Sequence, residues 1–210
     1  MIPLLYSYFM PLKVNKSLTP PIVSRETIDS FKSYYELLYR WNKSISLMKI
    51  SNWDEFYQRH MIDSIQLCEL IDKVVRIIDI GSGAGIPGIP LSIMGYNVTM
   101  VESTLKKTTF LKQSINSLKL NAHVISDRIE NTNFNEPVTV TARALTSLEN
   151  LLSYMENVSR ETVGIFLKGK TLENEIVKAK KEWLFDSQIY NSITGDGYII
   201  KVTNLKRKST

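Results

Sequence analysis

The sequence predicts an α/β fold in which a mostly parallel sheet carries helices on both faces. From residue 74 onward, apolar runs rich in β-branched residues alternate with helical patterns, as in βαβ units. The first of these runs ends abruptly at three glycines on alternate positions. A buried strand has this pattern when it leads into a loop whose backbone approaches a ligand closely. The predicted strands lie near residues 75–80, 97–102, 122–126, 138–142 and 162–168.

The segments around these strands complete the predicted α/β unit. The intervening helices are expected to begin near Pro87, Thr104, Arg128 and Ser147. Close to the end of the chain, strand-like segments flank a tight turn that contains two glycines. These segments, residues 185–193 and 198–202, predict an antiparallel hairpin.

Before residue 74 the pattern is helical instead. Ser24 is a suitable N-cap, and apolar residues recur after it at three- and four-residue steps. Further helices are expected over residues 53–57 and 59–71, while Pro20 and Pro21 separate them from an N-terminal arm. We therefore divide the chain into an arm (1–22), a helical segment (23–73), an α/β domain (74–205) and a basic tail (206–210).

Composition narrows the class of protein. The chain has 210 residues, 43% of them hydrophobic and 22% charged, which is typical of a globular protein with a sizeable core. A net charge of +5 suits a polyanionic partner. The single cysteine, Cys68, excludes an internal disulfide and a cysteine-based metal cluster, and the two histidines are far apart. We expect a reducing cytoplasm and no bound metal.

Two apolar stretches resemble membrane signals only superficially. Residues 1–10 contain no basic n-region, include a proline and are too short to span a bilayer. Residues 80–101 carry no charge, but their glycines and prolines indicate a path of strand, loop, helix and strand. No transmembrane or secretion signal is therefore expected.

The acid Glu102 indicates what the glycine loop binds. It ends the second predicted strand, about 20 residues after the loop, where nucleoside-binding α/β units place a carboxylate for ribose hydroxyls. The loop lacks the lysine and the serine or threonine that would follow a phosphate-cradling loop. Pro87 and Pro90 also remove backbone donors that a pyrophosphate would need.

A nucleoside with an amino-acid tail and no phosphate fits these features best, and S-adenosylmethionine is such a ligand. Asp79, two residues before the loop, is placed either to bind an amino group or to orient the loop. The alternative is a structural strand–turn–helix corner that binds nothing.

At this point the chain resembles a known family. Residues 79–91 read DIGSGAGIPGIPL, which is similar to the signature of the bacterial 16S ribosomal RNA (guanine-N7) methyltransferase family, formerly called glucose-inhibited division protein B (GidB). Four further segments match in the family's order. They are residues 40–43, 59–64, 142–148 and 167–169.

The resemblance implies a Rossmann-like class I S-adenosylmethionine methyltransferase sheet with an N-terminal helical cap. It also implies cofactor contacts at Gly81, Ile86 and Arg143 and at the Ile129–Glu130 pair, with Glu102 on the ribose. The full expected cofactor site is Asp79, Gly81, Gly83, Gly85, Ile86, Glu102, Ile129, Glu130 and Arg143.

Methylation of guanine N7 makes particular demands on an active site. N7 has an in-plane lone pair and no proton, so the reaction needs positioning rather than a general base. Methylation of an exocyclic amine would instead favour an Asp/Asn-Pro-Pro-Tyr motif after the fourth strand, where this chain has residues 141–144, TARA. Arg143 and Lys168, at the ends of the fourth and fifth strands, are the expected substrate-positioning residues.

The segment 59–64 supplies further candidates for substrate contact or closure of the cap, namely Arg59, His60, Asp63 and Ser64. The alternatives are structural. Arg59 and Asp63 are spaced for a surface ion pair, and His60 for a packed histidine. Trp41 could stack on a base or belong to the core. The lysines at 106, 107 and 112 could follow phosphates or form a solvated helix face.

These observations predict a cytoplasmic, monomeric rRNA methyltransferase whose partner is 16S rRNA or the small ribosomal subunit, with no membrane or metal partner. Two other classes stay open. One is a methyltransferase of the same fold that acts on a small molecule or a protein. The other is a nucleoside-binding module without catalytic activity.

Overall fold

A computed structural model of the chain, which describes residues 12–15, 17–159, 161–195 and 197–209, contains one seven-stranded sheet. The strand order is β3-β2-β1-β4-β5-β7-β6. The first five strands are parallel, and β7 pairs antiparallel with both β5 and β6. The strands are β1 Arg76–Ile80, β2 Val98–Val101, β3 Ala122–Ile125, β4 Val138–Arg143, β5 Thr162–Lys168, β6 Trp183–Asn191 and β7 Tyr198–Arg207.

Helices cover both faces of this sheet. The α-helices are α1 Arg25–Asn42, α2 Trp53–Phe56, α3 Asp63–Ile65, α4 Gly88–Ile93, α5 Leu105–Leu118, α6 Leu148–Val158 and α7 Leu172–Ala179. Two hydrophobic clusters fill the two interfaces. Ile77 belongs to the cluster with α1, α4 and α5, and its neighbour Ile78 belongs to the cluster with α6 and α7. The alternation follows from the period of two along a strand, and it explains why β1 is buried on both faces from Ile77 to Ile80.

The five predicted parallel strands and the hairpin are confirmed, with ends within a few residues of the expected ones except in β7. Ser24 is confirmed as the N-cap of α1, since its hydroxyl oxygen accepts a hydrogen bond of 3.2 Å from the Thr27 amide. A helix beginning near Arg128 was expected, and this prediction is wrong. Only a single 3₁₀ turn, Ile129–Asn131, forms there. Asp127 accepts hydrogen bonds from the Arg128 amide and the Asn131 side chain, which closes a local turn instead of a helix.

The segment from Trp53 to Glu69 differs from the two separate helices that were expected. It is one continuous helical run in which α2 leads into a π-helix, Tyr57–Ile62, then α3 and a 3₁₀ turn, Gln66–Glu69. A π-helix inserts extra residues into a helical turn and rotates the side chains that follow it. The insertion therefore decides which way the candidate residues at 59–64 face.

The two ends of the described chain lie against the sheet edge. Val14 forms a bridge with Ile189, and the Asn15 amide donates to the Ile189 carbonyl oxygen at 2.7 Å. The rest of the expected arm, residues 1–11 and 16, is outside the described residues. The first residues of the predicted basic tail belong to the sheet, because β7 continues to Arg207. The Arg207 guanidinium lies 4.5 Å from the Trp183 ring centroid and pairs with Glu156 at 3.2 Å, so packing continues the strand.

Candidate functional site

A cavity of about 490 Å³ opens at the carboxyl ends of the parallel strands, where the strand order reverses between β1 and β4. Ligands of open α/β sheets bind at this point of the topology, because the loops there diverge to opposite faces. The cavity has the size of a site for one small ligand. Its wall is formed by Leu47, Met48, Gly81, Ser82, Gly83, Ala84, Ile86, Val101, Glu102, Ser103, Lys107, Asp127, Arg128, Ile129, Glu130, Arg143, Ala144, Leu145 and Tyr154.

The glycine loop after β1 forms one side of the cavity. Gly81, Gly83 and Gly85 have φ of 64°, 55° and 86°, a region in which residues with a Cβ are strained. Gly81 and Gly83 line the cavity, whereas a Cβ on Gly85 would overlap the Ile89 side chain. Gly85 therefore supports the turn into α4 behind the wall. The Tyr34 hydroxyl of α1 donates to the Ala84 carbonyl oxygen and fixes the loop from the helical segment.

Glu102 closes the loop from the end of β2. One carboxylate oxygen, Oε2, accepts a hydrogen bond of 3.0 Å from the Gly83 amide, and Oε1 accepts one of 2.8 Å from the Thr104 amide. The side chain is largely buried but lines the cavity. A carboxylate can accept further hydrogen bonds on its remaining lone pairs, so Glu102 is oriented and still able to bind hydroxyl groups.

Asp79 lies behind the cavity wall and not in it. Its side chain is fully buried, and Oδ1 accepts a hydrogen bond of 3.0 Å from the Thr141 hydroxyl of β4. Burial raises the pKa of Asp79 to about 7, against the opposing effect of the neighbouring hydrogen-bond donors. Of the two roles that the sequence left open, orienting the loop agrees with this placement, and direct contact with a ligand does not.

Arg143 ends β4 and brings a positive charge to the opposite side of the cavity. Its Nη1 atom lies 3.6 Å from Asp63 Oδ2, and about a quarter of its side chain is exposed. That separation is too long for a hydrogen bond, and Nη1 has no hydrogen-bond partner within the described part of the chain. The next residue, Ala144, has a φ of 52°, which turns the chain so that Leu145 projects into the cavity.

Lys168 was expected at the rim where substrate enters, but the structure places it elsewhere. The side chain is 9% exposed, and its Nζ atom pairs with Glu175 Oε2 at 2.6 Å. Nζ also donates to the Thr146 carbonyl oxygen at 2.8 Å, while Glu175 accepts from the Leu148 amide at 2.8 Å. Lys168 therefore fastens the loop after β4 and the start of α6, and it is not among the described residues that line the cavity.

The far wall contains predicted and unpredicted residues. Ile129 and Glu130 line the cavity as expected, Ile129 buried and Glu130 exposed. Asp127 and Tyr154 also line it and were missed. An acid directly after the third strand was a usable signal for Asp127, by analogy with Glu102. Tyr154 belongs to the apolar pattern of α6, and only tertiary packing brings it to the cavity.

The loop before α2 covers the remaining side of the cavity with Leu47 and Met48. The Asn42 side chain, at the end of α1, accepts from the Leu47 amide at 2.8 Å and donates to the Met48 carbonyl oxygen at 2.6 Å. Trp41 belongs to the core, because its ring packs edge-on against Phe110 and its Nε1 donates to Gln113. Of the three lysines on α5, Lys107 lines the cavity.

The four candidates of segment 59–64 lie beside the cavity and not in the wall that the described residues form. Arg59 pairs with Glu55 at 2.8 Å, so the alternative of a surface ion pair between Arg59 and Asp63 is wrong. The π-helix turns Asp63 inward, and its partner is Arg143. The Ser64 hydroxyl donates to the His60 carbonyl oxygen at 2.6 Å. Burial, followed by the positive charges of Arg143 and Arg59, lowers the pKa of His60 to about 4.

The sequence model of a family described as rRNA small subunit methyltransferase G (GidB) matches residues 27–198. The chain belongs to this family. A ribosomal RNA small subunit methyltransferase G from Rickettsia akari is 40% identical over 188 residues, which cover 88% of this chain and 98% of the relative. The relative of the same name from Rickettsia prowazekii is 39% identical over the same shares of the two chains.

Solved structures agree with the fold. A SAM-dependent methyltransferase from Aquifex aeolicus superposes with a TM-score of 0.57 at 12% identity, over 70% of this chain and 92% of the other. An O-methyltransferase from Bacillus cereus, in complex with SAH, gives 0.54 at 16% identity over 87% and 93%. The predicted Rossmann-like class I sheet is confirmed, and family membership confirms the prediction of an rRNA methyltransferase.

Two kinds of feature are absent from the residues that the structure describes. None of the helices in that part of the chain is long and apolar enough to cross a membrane. Within the same ranges, histidine, cysteine, aspartate and glutamate side chains do not gather into a group of three or more that could hold a metal ion.

Proposed function

We propose that this protein methylates N7 of a guanine in 16S ribosomal RNA with S-adenosylmethionine as the methyl donor. The observation that carries the proposal is the meeting of the glycine loop, Glu102 and Arg143 around one cavity in a chain of this family. When bound, S-adenosylmethionine supplies an electrophilic methyl group on a positively charged sulfur.

The polar groups of the cavity fit the parts of this cofactor. Glu102 is oriented to accept hydrogen bonds from ribose hydroxyls, since both of its oxygens are already fixed by backbone amides. Arg143 lines the cavity with about a quarter of its side chain exposed, and its positive charge suits the carboxylate of the methionine part. Ile129 offers an apolar surface and Glu130 an acceptor for the adenine. Gly81 and Gly83 allow the ligand to approach the backbone.

The protein needs no general base for this reaction. Guanine N7 attacks with a lone pair and loses no proton, so catalysis depends on holding N7 in line with the carbon–sulfur bond. The only histidine near the cavity among the described residues, His60, is neutral at pH 7 because its pKa is about 4. We assign the positioning of cofactor and base to the loops after β1 and β4, with Leu145 as the apolar side chain that faces the incoming base.

Several finer assignments belong to the same proposal. Residues 23–73 act as a cap over the cofactor, since Tyr34 holds the glycine loop and Leu47 and Met48 cover the cavity. The exposed cations Arg59, Lys106 and Lys112 contact RNA phosphates. The protein acts as a monomer in the cytoplasm, on free 16S rRNA or on the small subunit.

The test is methyl transfer from labelled S-adenosylmethionine to naked 16S rRNA, to small ribosomal subunits and to a pool of small metabolites. We expect label in 7-methylguanosine of the rRNA, at a single position when the RNA is mapped. Label in another nucleoside atom would contradict the assignment of N7, and label confined to metabolites would contradict rRNA as substrate. Cofactor binding measured by calorimetry without any transfer would show a nucleoside-binding module.

A further inference from the structure

A buried polar cluster joins three distant elements beside the cofactor cavity. We define the Asp63 cluster as Asp63, Gln66, Ser192 and Thr194. Asp63 Oδ1 accepts hydrogen bonds from Gln66 Nε2 at 2.9 Å, from the Ser192 hydroxyl at 2.9 Å and from the Thr194 hydroxyl at 2.8 Å. The other oxygen, Oδ2, faces the Arg143 guanidinium at 3.6 Å. One carboxylate therefore contacts the helical segment, the β6–β7 turn and the end of β4.

Gln66 strengthens the link between the helical segment and the turn. It is fully buried, and its Oε1 accepts a hydrogen bond of 3.1 Å from the Ile193 amide. Its Nε2 also donates to the Ser192 hydroxyl at 3.2 Å. The β6–β7 turn is therefore held by side chains more than a hundred residues away in sequence.

Such a cluster needs a reason, because a buried carboxylate is unfavourable unless it is well paired. Three donors on Oδ1 fix the carboxylate plane and leave Oδ2 directed at Arg143. At 3.6 Å the negative charge attracts the guanidinium without a hydrogen bond to the buried Nη1. The arrangement orients a long flexible side chain that also lines the cavity.

We infer that Asp63 is a positioning residue that holds Arg143 in the cofactor cavity, and that the β6–β7 turn fixes Asp63 for this task. The inference rests on the proposed contact between Arg143 and the cofactor. A guanidinium that is already oriented loses less conformational entropy when the cofactor binds, so binding is tighter.

The first experiment compares Asp63→Asn, Arg143→Ala and the double variant by calorimetric titration with S-adenosylmethionine. The asparagine keeps the shape and the Oδ1 acceptor, removes the charge and places an NH2 group where Oδ2 faces Arg143. We expect about tenfold weaker binding for Asp63→Asn, which lies in the coupling range of residues of one network. In the Arg143→Ala background the same change should have no further effect, because the group that Asp63 positions is gone.

The control is Asp186→Asn, which removes an exposed carboxylate from β6. Asp186 accepts a hydrogen bond of 2.7 Å from the Asn204 side chain and lies outside the Asp63 cluster. The Asp186→Asn variant should therefore bind S-adenosylmethionine as tightly as the wild type does. Steady-state kinetics provide a second measurement. Asp63→Asn should raise KM for S-adenosylmethionine about tenfold and change kcat by less than a factor of about three, since the effect acts on binding.

A second variant keeps the inference testable if Asp63→Asn fails to fold. Ser192→Ala combined with Thr194→Val removes two donors from Oδ1 and leaves both charges of the ion pair. We expect the variant to bind S-adenosylmethionine about threefold more weakly, which lies in the range of coupling between residues of one hydrogen-bond network. When Arg143 is already alanine, the same change should cause no additional loss of affinity. Circular dichroism and urea unfolding establish that each variant is folded before titration.

The outcomes separate the inference from the proposed function. If Arg143→Ala weakens binding and neither Asp63→Asn nor the turn variant does, the positioning role is overturned and the proposed site stands. If the losses from Asp63→Asn and Arg143→Ala simply add, Asp63 acts on binding independently of Arg143 and the inference is also overturned. If Arg143→Ala itself binds like the wild type, the proposed contact fails and the inference fails with it.

Discussion

The two loops that face each other across the cavity are held in different ways. The loop after β1 is fixed by its own backbone, through glycines at positive φ and short hydrogen bonds such as that from the Gly85 amide to the Ser82 carbonyl oxygen at 2.6 Å. The loop after β4 is fixed by side chains from elsewhere. Asp63 faces Arg143, and the pair of Lys168 and Glu175 fastens Thr146 and Leu148.

One cavity can therefore combine two kinds of wall. The first wall, the loop after β1, is held by residues of its own sequence, and the second wall, the loop after β4, is held by residues distant in sequence. A change at a glycine alters the first wall directly at the ligand. A change at Lys168 alters the second wall by releasing it, although the lysine does not itself line the cavity that the described residues form. The variants below act on each wall separately.

The largest effect is expected for Gly81→Ala. A Cβ at this position would overlap the Leu145 side chain, and the backbone has a φ of 64°. We expect S-adenosylmethionine to bind at least about a hundredfold more weakly in calorimetric titration, because the added Cβ occupies space beside the backbone that the ligand approaches. This factor corresponds to a loss of about 2.7 kcal/mol in binding free energy. The matched control is Gly95→Ala. Gly95 has a φ of 88° and open space around it, so it carries similar backbone strain outside the cavity.

A double variant separates the two causes at Gly81. If Leu145 is the only obstacle, adding Leu145→Ala restores binding. If the cofactor needs the space beside the Gly81 backbone, the double variant stays weak, and this is the expected result. Wild-type affinity in Gly81→Ala alone would refute the assignment of the glycine loop.

A smaller effect, mainly on stability, is expected for Lys168→Met. It leaves Glu175 without its buried partner and Thr146 without a donor, and such a change costs about 3 kcal/mol of unfolding free energy. Adding Glu175→Gln should recover part of the loss, since the amide oxygen can still accept from the Leu148 amide. Urea unfolding measures both. Arg59→Met is the control, because its exposed pair with Glu55 contributes at most about 1 kcal/mol.

A loss in Lys168→Met no larger than that in Arg59→Met would contradict the view that the β4 loop depends on this pair. Affinity for the cofactor should also fall several-fold in Lys168→Met. The loop that loses its hydrogen bond at Thr146 begins directly after Arg143, so Arg143 is held less firmly. Unchanged affinity in a destabilised but folded variant would confine the role of Lys168 to stability.

The same contrast explains what the sequence could and could not predict. The parallel strands are apolar runs in the local sequence, and the loop after β1 carries its glycines within it, so both were predictable. The helix α7 was not expected, since its apolar residues Leu172, Ile176 and Ala179 occupy only two turns among charged neighbours. The π-helix at Tyr57–Ile62 has no pattern that distinguishes it from an α-helix.

The second wall of the site was predictable only in part. Arg143 was named from its position after the fourth strand, but its partner Asp63 is 80 residues earlier, and its orientation depends on the π-helix. Lys168 was predicted to position substrate at the rim, whereas its Nζ pairs with a carboxylate behind the loop after β4. Its true partner, Glu175, lies on the helix that the sequence did not reveal.

The smallest expected effect concerns Asp79, a fully buried carboxylate beneath the first wall, and it depends on pH. Burial raises its pKa to about 7 in the folded protein, above its ordinary value of 3.8. Between about pH 4 and 7 the folded state therefore holds a proton that the unfolded state has lost, and stability falls as pH rises through that window.

Asp79→Asn removes this dependence, so the variant should gain stability relative to the wild type from pH 4 to 7 and keep a constant difference above pH 7. His60, whose lowered pKa acts in the opposite direction, is present in both proteins and cancels in the difference. Urea midpoints at four pH values measure the effect, and parallel curves for the two proteins would show that Asp79 is ionised in the folded state throughout.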